Sequence, residues 1–251
     1  MDICVLSEDP QLDHRVPLSP GAVRGLVRAG NRVFMQRGAG ERCQFADPEY
    51  EAAGATIVYS REETLARGDA VLMLRAPTLE ELSLVADGAA VISFLHLSLR
   101  SPEYLDTFLS RNLTAISMEL ISDRDGRRPC LMAVSEIAGV LAIQVASYYL
   151  QSPFGGRGIL LGGSPGVPPG NVVVIGAGTV GLTAATTAHR LGAHTMLFDR
   201  SVQKLRSAQQ ILGPGVATNI FSRHSLESVL VATDVLIGAV SVPGEKAPVV
   251  V

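Results

Sequence analysis

Residues 171–200, NVVVIGAGTVGLTAATTAHRLGAHTMLFDR, constrain the fold more than any other part of the chain. An apolar β-branched run (171–175) leads directly into Gly176-x-Gly178-x-x-Gly181, and an alanine-rich helical stretch (179–191) follows. A second apolar run (194–198) ends on an acid, Asp199, 18 residues after Gly181. Strand, glycine turn, helix, strand and acid in that order are the parts of a Rossmann half that binds a dinucleotide. Gly176 permits a tight turn, Gly178 lets the backbone approach a pyrophosphate, and Gly181 allows the helix to pack closely on the strand. Amides and the helix dipole then face the phosphates. Asp199 is suited to accept hydrogen bonds from the adenosine ribose hydroxyls and to repel a 2′-phosphate, so the implied cofactor is NAD. Arg200 beside it blunts that preference. The alternative is a glycine-rich turn in an ordinary α/β domain, and the conjunction of strand, helix and acid weighs against it.

Short apolar runs alternate with helical stretches over the rest of the chain. Residues 2–7, 32–36, 56–59, 70–74, 89–94 and 114–118 read as strands, and 21–29, 48–53, 61–66 and 103–110 as helices between them. The pattern restarts after a Gly/Pro-rich turn, with strands at 171–175, 194–198, 216–220 and 235–238 and helices at 179–191, 202–212 and 226–231. Such alternation predicts α/β architecture: two doubly wound, mostly parallel sheets. Residues 135–150 form one helix that is apolar nearly all round, which predicts burial on several sides, as in a connector between domains. Ser135 can cap it. The expected domains are 1–134 and 135–251, the second opening with the connecting helix and carrying the dinucleotide. Only about four strands of a six-stranded Rossmann sheet precede Val251, so this domain reads as incomplete at its C-terminus.

Composition narrows the function. The net charge of −3 and the absence of tryptophan argue against a nucleic-acid surface. Cys4, Cys43 and Cys130 lie far apart and form no metal motif or disulfide framework, so no metal site is expected. The mean hydropathy is +0.29, and residues 137–156 and 158–189 carry no Asp, Glu, Lys or Arg. Polar residues interrupt the first stretch and glycine and proline the second, so both read as buried core and no membrane partner is expected. The acidic N-terminus, MDICVLSEDP, does not have the form of a targeting peptide, and the expected compartment is the cytoplasm.

The run GGRGILLGGSPGVPPGNVVVIGAGTVG (155–181) resembles the signature of the alanine dehydrogenase and nicotinamide-nucleotide transhydrogenase family. HRVPLSPGAV (14–23), GAGERCQFADPEYEAAGA (38–55), FLHLS (94–98), MAVSEIAG (132–139) and IGAVSVPGEKAP (237–248) match it in order and spacing. The LHL block and the PGVPP turn place the resemblance nearer the dehydrogenase branch. It implies NAD-dependent, reversible oxidation of L-alanine to pyruvate and ammonia by a homo-oligomer, commonly a hexamer. It also implies a catalytic domain split between the two ends of a longer chain.

Carried over by residue, the resemblance makes Arg15 the grip on the substrate carboxylate and His96 the catalytic acid–base. It puts Ser135, Thr179, Val180, Asp199, Lys204, Ser222, Val240 and Ser241 at cofactor contacts, beside Gly176, Gly178 and Gly181. Each has a plainer reading. Arg15 can be a surface arginine paired with Asp13, His96 a satisfied core histidine, Ser135 only a helix cap and Lys204 a solvated helix residue. One position departs from the family, which has a lysine where this chain has Arg75. A guanidinium keeps the charge and can hold substrate, but it is larger and stays protonated throughout the physiological range. Two other functions therefore stand beside the dehydrogenase: a non-catalytic NAD-binding remnant, and a related imino- or oxo-acid reductase.

Overall fold

A computed structural model describes residues 1–242 and 247–250. Residues 243–246 of the block IGAVSVPGEKAP, and Val251, lie outside the described residues. The chain divides into two compact units, 1–123 and 124–251. The long apolar helix Pro129–Tyr149 falls in the second unit, where one stripe of it packs on the helix that follows the glycine turn.

The first unit runs β1 (Asp2–Val5), α1 (Pro20–Arg28), β2 (Arg32–Gln36), α2 (Asp47–Ala52), β3 (Thr56–Val58), α3 (Arg61–Arg67), β4 (Ala70–Arg75), α4 (Leu79–Leu84), β5 (Ala90–Phe94), α5 (Pro102–Ser110) and β6 (Thr114–Ser117). Its sheet is parallel throughout, in the order β3-β2-β1-β4-β5-β6. The direction of winding reverses between β1 and β4, which is where open α/β sheets place their ligands. Local chemistry sets the helix starts. Ser19 and Ser101 each accept a backbone N–H of the first turn, ahead of Pro20 and Pro102. Thr78 and Glu81 form a reciprocal capping box that opens α4, a helix absent from the sequence expectation. Leu6, Val71, Met73, Val91 and Leu95 pack with Leu65, Leu82, Tyr104 and Phe108 on one face of the sheet.

The second unit runs α6 (Pro129–Tyr149), β7 (Asn171–Ile175), α7 (Thr179–Arg190), β8 (His194–Asp199), α8 (Val202–Leu212), β9 (Val216–Ile220), α9 (Arg223–Leu230) and β10 (Val235–Gly238). Its four described strands are parallel, in the order β10-β7-β8-β9, and the reversal lies between β7 and β10. The unbroken run Val172–Val173–Val174–Ile175 follows from burial on both faces. Val172 and Val174 join Ala184, Ala185, Ala188 and Leu205 on one side, while Val173 and Ile175 join Phe198 and Leu226 on the other.

Two expectations about α6 are corrected. Pro129 opens the helix at its first turn, with Arg128 in the cap position, so Ser135 lies inside the helix and caps nothing. Nor is the helix buried on several sides. Only Gly139 and Ile143 are buried, while Ile137, Leu141, Val145 and Tyr149 are among its exposed residues. The reason is the number of neighbours. Gly139 comes so close to α7 that a Cβ there would meet Thr183 and the Val180 carbonyl at 2.6 Å. That contact covers one stripe, and of the apolar residues elsewhere Tyr148 stacks on Phe154 just beyond the helix, at 3.8 Å between centroids, while Ile137, Leu141 and Val145 stay exposed among the described residues. By length and composition α6 could cross a membrane.

Candidate cofactor and substrate sites

In the second unit, the three glycines of the turn have three different surroundings. Gly176 has φ +106°, in the region that favours glycine, and a Cβ there would lie 2.5 Å from the Ala239 carbonyl oxygen. A Cβ on Gly181 would lie 1.7 Å from the Gly176 carbonyl oxygen, so only glycine lets α7 start this close to the turn. Around Gly178, among the described residues, nothing approaches within 4 Å of that position. The first two glycines serve the protein's own packing, whereas the third leaves space beside the backbone.

That space is continuous with two cavities. One, of about 250 Å³, is lined by Gly176, Gly178, Asp199, Lys204, Val240 and Ser241, together with Arg200 and Phe221. The other, of about 370 Å³, takes in Ser135, Thr179 and Val180 and shares Gly178 and Ser241 with the first. Asp199 ends β8 beneath the turn. Its Oδ2 accepts the Ala177 N–H at 2.7 Å and its Oδ1 accepts the Ser201 N–H at 2.7 Å. Both oxygens retain lone pairs for a hydroxyl ligand. These residues fit a dinucleotide: open backbone at the turn, a helix N-terminus, and a carboxylate one strand away.

Two expected contacts lie outside both cavities. Gly181 acts through packing, as its steric surroundings show. Ser222 caps α9, accepting the Ser225 N–H at 3.1 Å while Ser225 Oγ accepts its own. The Arg200 guanidinium, named in the sequence only as Asp199's neighbour, sits 5.7 Å from the centroid of Phe221, and both line the first cavity. Sequence reasoning also left residues out. Arg127, Arg128 and Met132, from the start of α6, line the second.

In the first unit, the candidate residues follow the C-terminal ends of neighbouring strands. Arg75 is the exposed last residue of β4 and pairs in register with Phe94 of β5, two residues before His96. Glu8 follows β1 and is 5% exposed. Its carboxylate crosses to β4, where it accepts the backbone N–H of Leu74 and, at 3.3 Å, that of Arg75. Burial pushes the Glu8 pKa up, opposed by these backbone donors. Arg15 grips Asp13 through a two-pronged contact, Nη2 to Oδ2 at 2.6 Å and Nε to Oδ1 at 2.9 Å. The guanidinium holds the Asp13 carboxyl below the usual carboxylate range, and Arg15 is raised in return. The plainer reading of Arg15 thus describes a real ion pair, yet Arg15 also lines a cleft of about 270 Å³ with Glu8 and Arg37.

His96 is not a satisfied core histidine, because its side chain is 50% exposed. Its backbone is left-handed, φ 46° and ψ 50°. Its ring stacks on Phe94 at 6.3 Å between centroids. Its backbone N–H donates to Glu119 Oε1 at 2.8 Å. Glu8 and Glu119 both went unnamed in the sequence reading. A signal existed: each acid directly follows a run expected to be a strand, at the edge where parallel sheets bind ligands.

Comparison with known proteins bears on these sites. Residues 4–138 match the model of the alanine dehydrogenase/PNT N-terminal domain, and 142–251 that of the C-terminal domain. The chain belongs to the alanine dehydrogenase/PNT family. An alanine dehydrogenase of Mycolicibacterium smegmatis is 39% identical over 236 residues, covering 94% of this chain and 63% of that relative. The chain thus spans somewhat less than two thirds of that relative's length. A solved structure titled L-alanine dehydrogenase superposes with a TM-score of 0.88 at 38% identity, covering 99% of this chain and 68% of the other. The transhydrogenase from Sinorhizobium meliloti superposes at 0.79 with 25% identity, covering 99% and 72%. Within the family the likeness is therefore stronger to the dehydrogenase.

Proposed function

We propose that this chain takes part in the NAD-dependent, reversible oxidation of L-alanine to pyruvate and ammonia. The observation that carries the reading is the contrast among the three glycines. Among the described residues, the turn is closed by its own packing at Gly176 and Gly181 and open at Gly178, one strand from the Asp199 carboxylate. Residues 135–251 are the cofactor-binding part. Amides of the turn and of Thr179 and Val180 hold the pyrophosphate, Asp199 the adenosine ribose, and Ser135, Lys204, Val240 and Ser241 flank the ligand. Ser222 shapes the loop by capping α9. When bound, the dinucleotide supplies the hydride acceptor for alanine oxidation and the donor for the reverse reaction.

Residues 1–134 are the substrate part. Arg15 and Arg75 hold the carboxylate with planar, permanently charged groups. His96 exchanges a proton at its imidazole as the amine, imine and oxo forms interconvert. The working form is a homo-oligomer, a hexamer in our reading, in the cytoplasm.

Fluorescence titration with NADH, followed by assays with alanine plus NAD and with pyruvate plus ammonia plus NADH, tests the proposal. Saturable binding and turnover support it. A folded chain without saturable binding overturns it and leaves ancestry alone.

Arg75 favours a second reading. Its exposed fork at the end of β4 suits a second carboxylate on the substrate, as in a reductase of dicarboxylic oxo acids. Turnover of such acids above that of pyruvate selects this reading.

A further inference from the structure

Three observations converge on His96. Its φ of 46° puts a non-glycine residue in the sparsely populated left-handed region, which is strained and persists where the surrounding structure enforces it. The Phe94 ring lies beside the His96 ring, 6.3 Å between centroids with the two planes 23° apart. Glu119, in the short turn that follows β6, is 9% exposed, and its Oε1 accepts the His96 N–H at 2.8 Å. The same oxygen lies 3.8 Å from His96 Nδ1, at ion-pair range and beyond hydrogen-bond range. Glu119 Oε2 is buried and, among the described residues, has no hydrogen-bond partner. A carboxylate oxygen held this way carries a desolvation cost, and apolar packing alone gives no reason to keep it.

We propose that Glu119 is the positioning residue of His96: it clamps the backbone in the left-handed conformation and faces ring Nδ1 with a carboxylate, leaving Nε2 as the proton-exchanging atom. This rests on the reading of His96 as the acid–base group. The physics is that of paired acid–base sites. A carboxylate accepts but does not donate, so the ring nitrogen nearest to it keeps its proton and the opposite nitrogen keeps its lone pair. The left-handed clamp aims the ring. The 50% exposure of the side chain leaves the far nitrogen accessible to a substrate.

The test uses the full chain and two variants. Glu119→Gln keeps an oxygen for the His96 N–H and removes the charge, whereas Glu119→Ala removes both. Nitrogen-15 spectra of the imidazoles, with the His96 signals assigned from His96→Gln, read the tautomer directly. The wild type is expected to hold mainly the Nδ1–H form, with a stepwise shift towards Nε2–H in Glu119→Gln and then Glu119→Ala. In turnover assays, kcat for alanine is expected to fall about 10–100-fold while KM stays within about twofold. Circular dichroism and melting temperature establish that each variant is folded. If Glu119→Ala does not fold, Glu119→Gln decides. An unchanged tautomer balance in a folded variant overturns the proposal. So does a loss of kcat that only parallels the loss of melting temperature. A chain that binds no dinucleotide and shows no turnover counts against the dehydrogenase reading, while the tautomer still decides the role of Glu119.

Discussion

The carboxylate of Asp199 accepts the backbone N–H of Ala177 at 2.7 Å, tying the end of β8 to the glycine turn that follows its neighbour β7. In the proposed reading, the residue that takes the ribose therefore also holds the turn that takes the phosphates. Asp199→Ala removes both contacts. Hydrogen bonds to a charged group contribute about 1.5–3 kcal/mol, so NADH affinity is expected to fall about 10–150-fold. NADPH affinity is expected to fall less, because the repulsion of a 2′-phosphate goes with the carboxylate. Parallel fluorescence titrations with the two nucleotides measure both, and equal losses would refute the role in discrimination.

Gly178 and Gly181 are expected to respond oppositely to one added methyl. At Gly181 the new Cβ would meet a backbone oxygen at 1.7 Å, so Gly181→Ala is expected to lower the melting temperature by about 5 °C or more. At Gly178 the space is open and the backbone, at φ −78°, suits alanine. Gly178→Ala is expected to leave the melting temperature within about 2 °C while weakening NADH binding about tenfold or more, since the methyl occupies the approach of the pyrophosphate. Calorimetry paired with titration separates the two. Equal destabilisation would mean that Gly178 serves the fold as well.

Arg75→Lys tests the substrate. An ammonium is compact and can release its proton, which a guanidinium cannot. The variant is expected to raise kcat/KM for L-alanine about tenfold or more. Initial rates at saturating NAD measure it. If alanine turnover is unchanged and turnover of a dicarboxylic oxo acid falls, Arg75 is gripping a second carboxylate.

Glu8 predicts a pH dependence of stability. Burial raises its pKa above the ordinary 4.5, so the folded chain keeps the proton where the unfolded chain has released it. Its favourable contribution is complete below that ordinary value and is lost as pH rises through the raised one. Asp13, lowered beside Arg15, behaves oppositely: its contribution is present above the ordinary 3.8 and is lost as pH falls through the lowered value. Glu8→Gln removes the first slope alone. Relative to wild type, the variant is expected to melt at a higher temperature near about pH 7 than it does near about pH 4. A difference in melting temperature that does not change with pH would exclude the burial effect.

The residues that could be read without a structure carry local rules. The strand, the glycine spacing and the acid at Asp199 sit within 30 residues, where backbone sterics and alternation dictate the outcome. The parallel α/β class followed from the same alternation, and the helices expected at 21–29 and 103–110 begin one residue earlier, at Pro20 and Pro102. α4 was missed because six residues are too short to show a helical period, although its capping box stands in the sequence as Thr78 and Glu81.

What only the tertiary structure decided was long-range. Composition makes α6 apolar, but the number of elements packed against it sets its burial, and one stripe on α7 leaves most of it exposed. Ser135 moved from cap to helix interior because Pro129 starts the helix earlier. Glu8 reaches the backbone of Arg75 across 67 positions, and Glu119 reaches His96 across 23. A carboxylate's role depends on which donors burial leaves within 3 Å of it. Strand order and register settle that, and neither is written in the neighbouring residues.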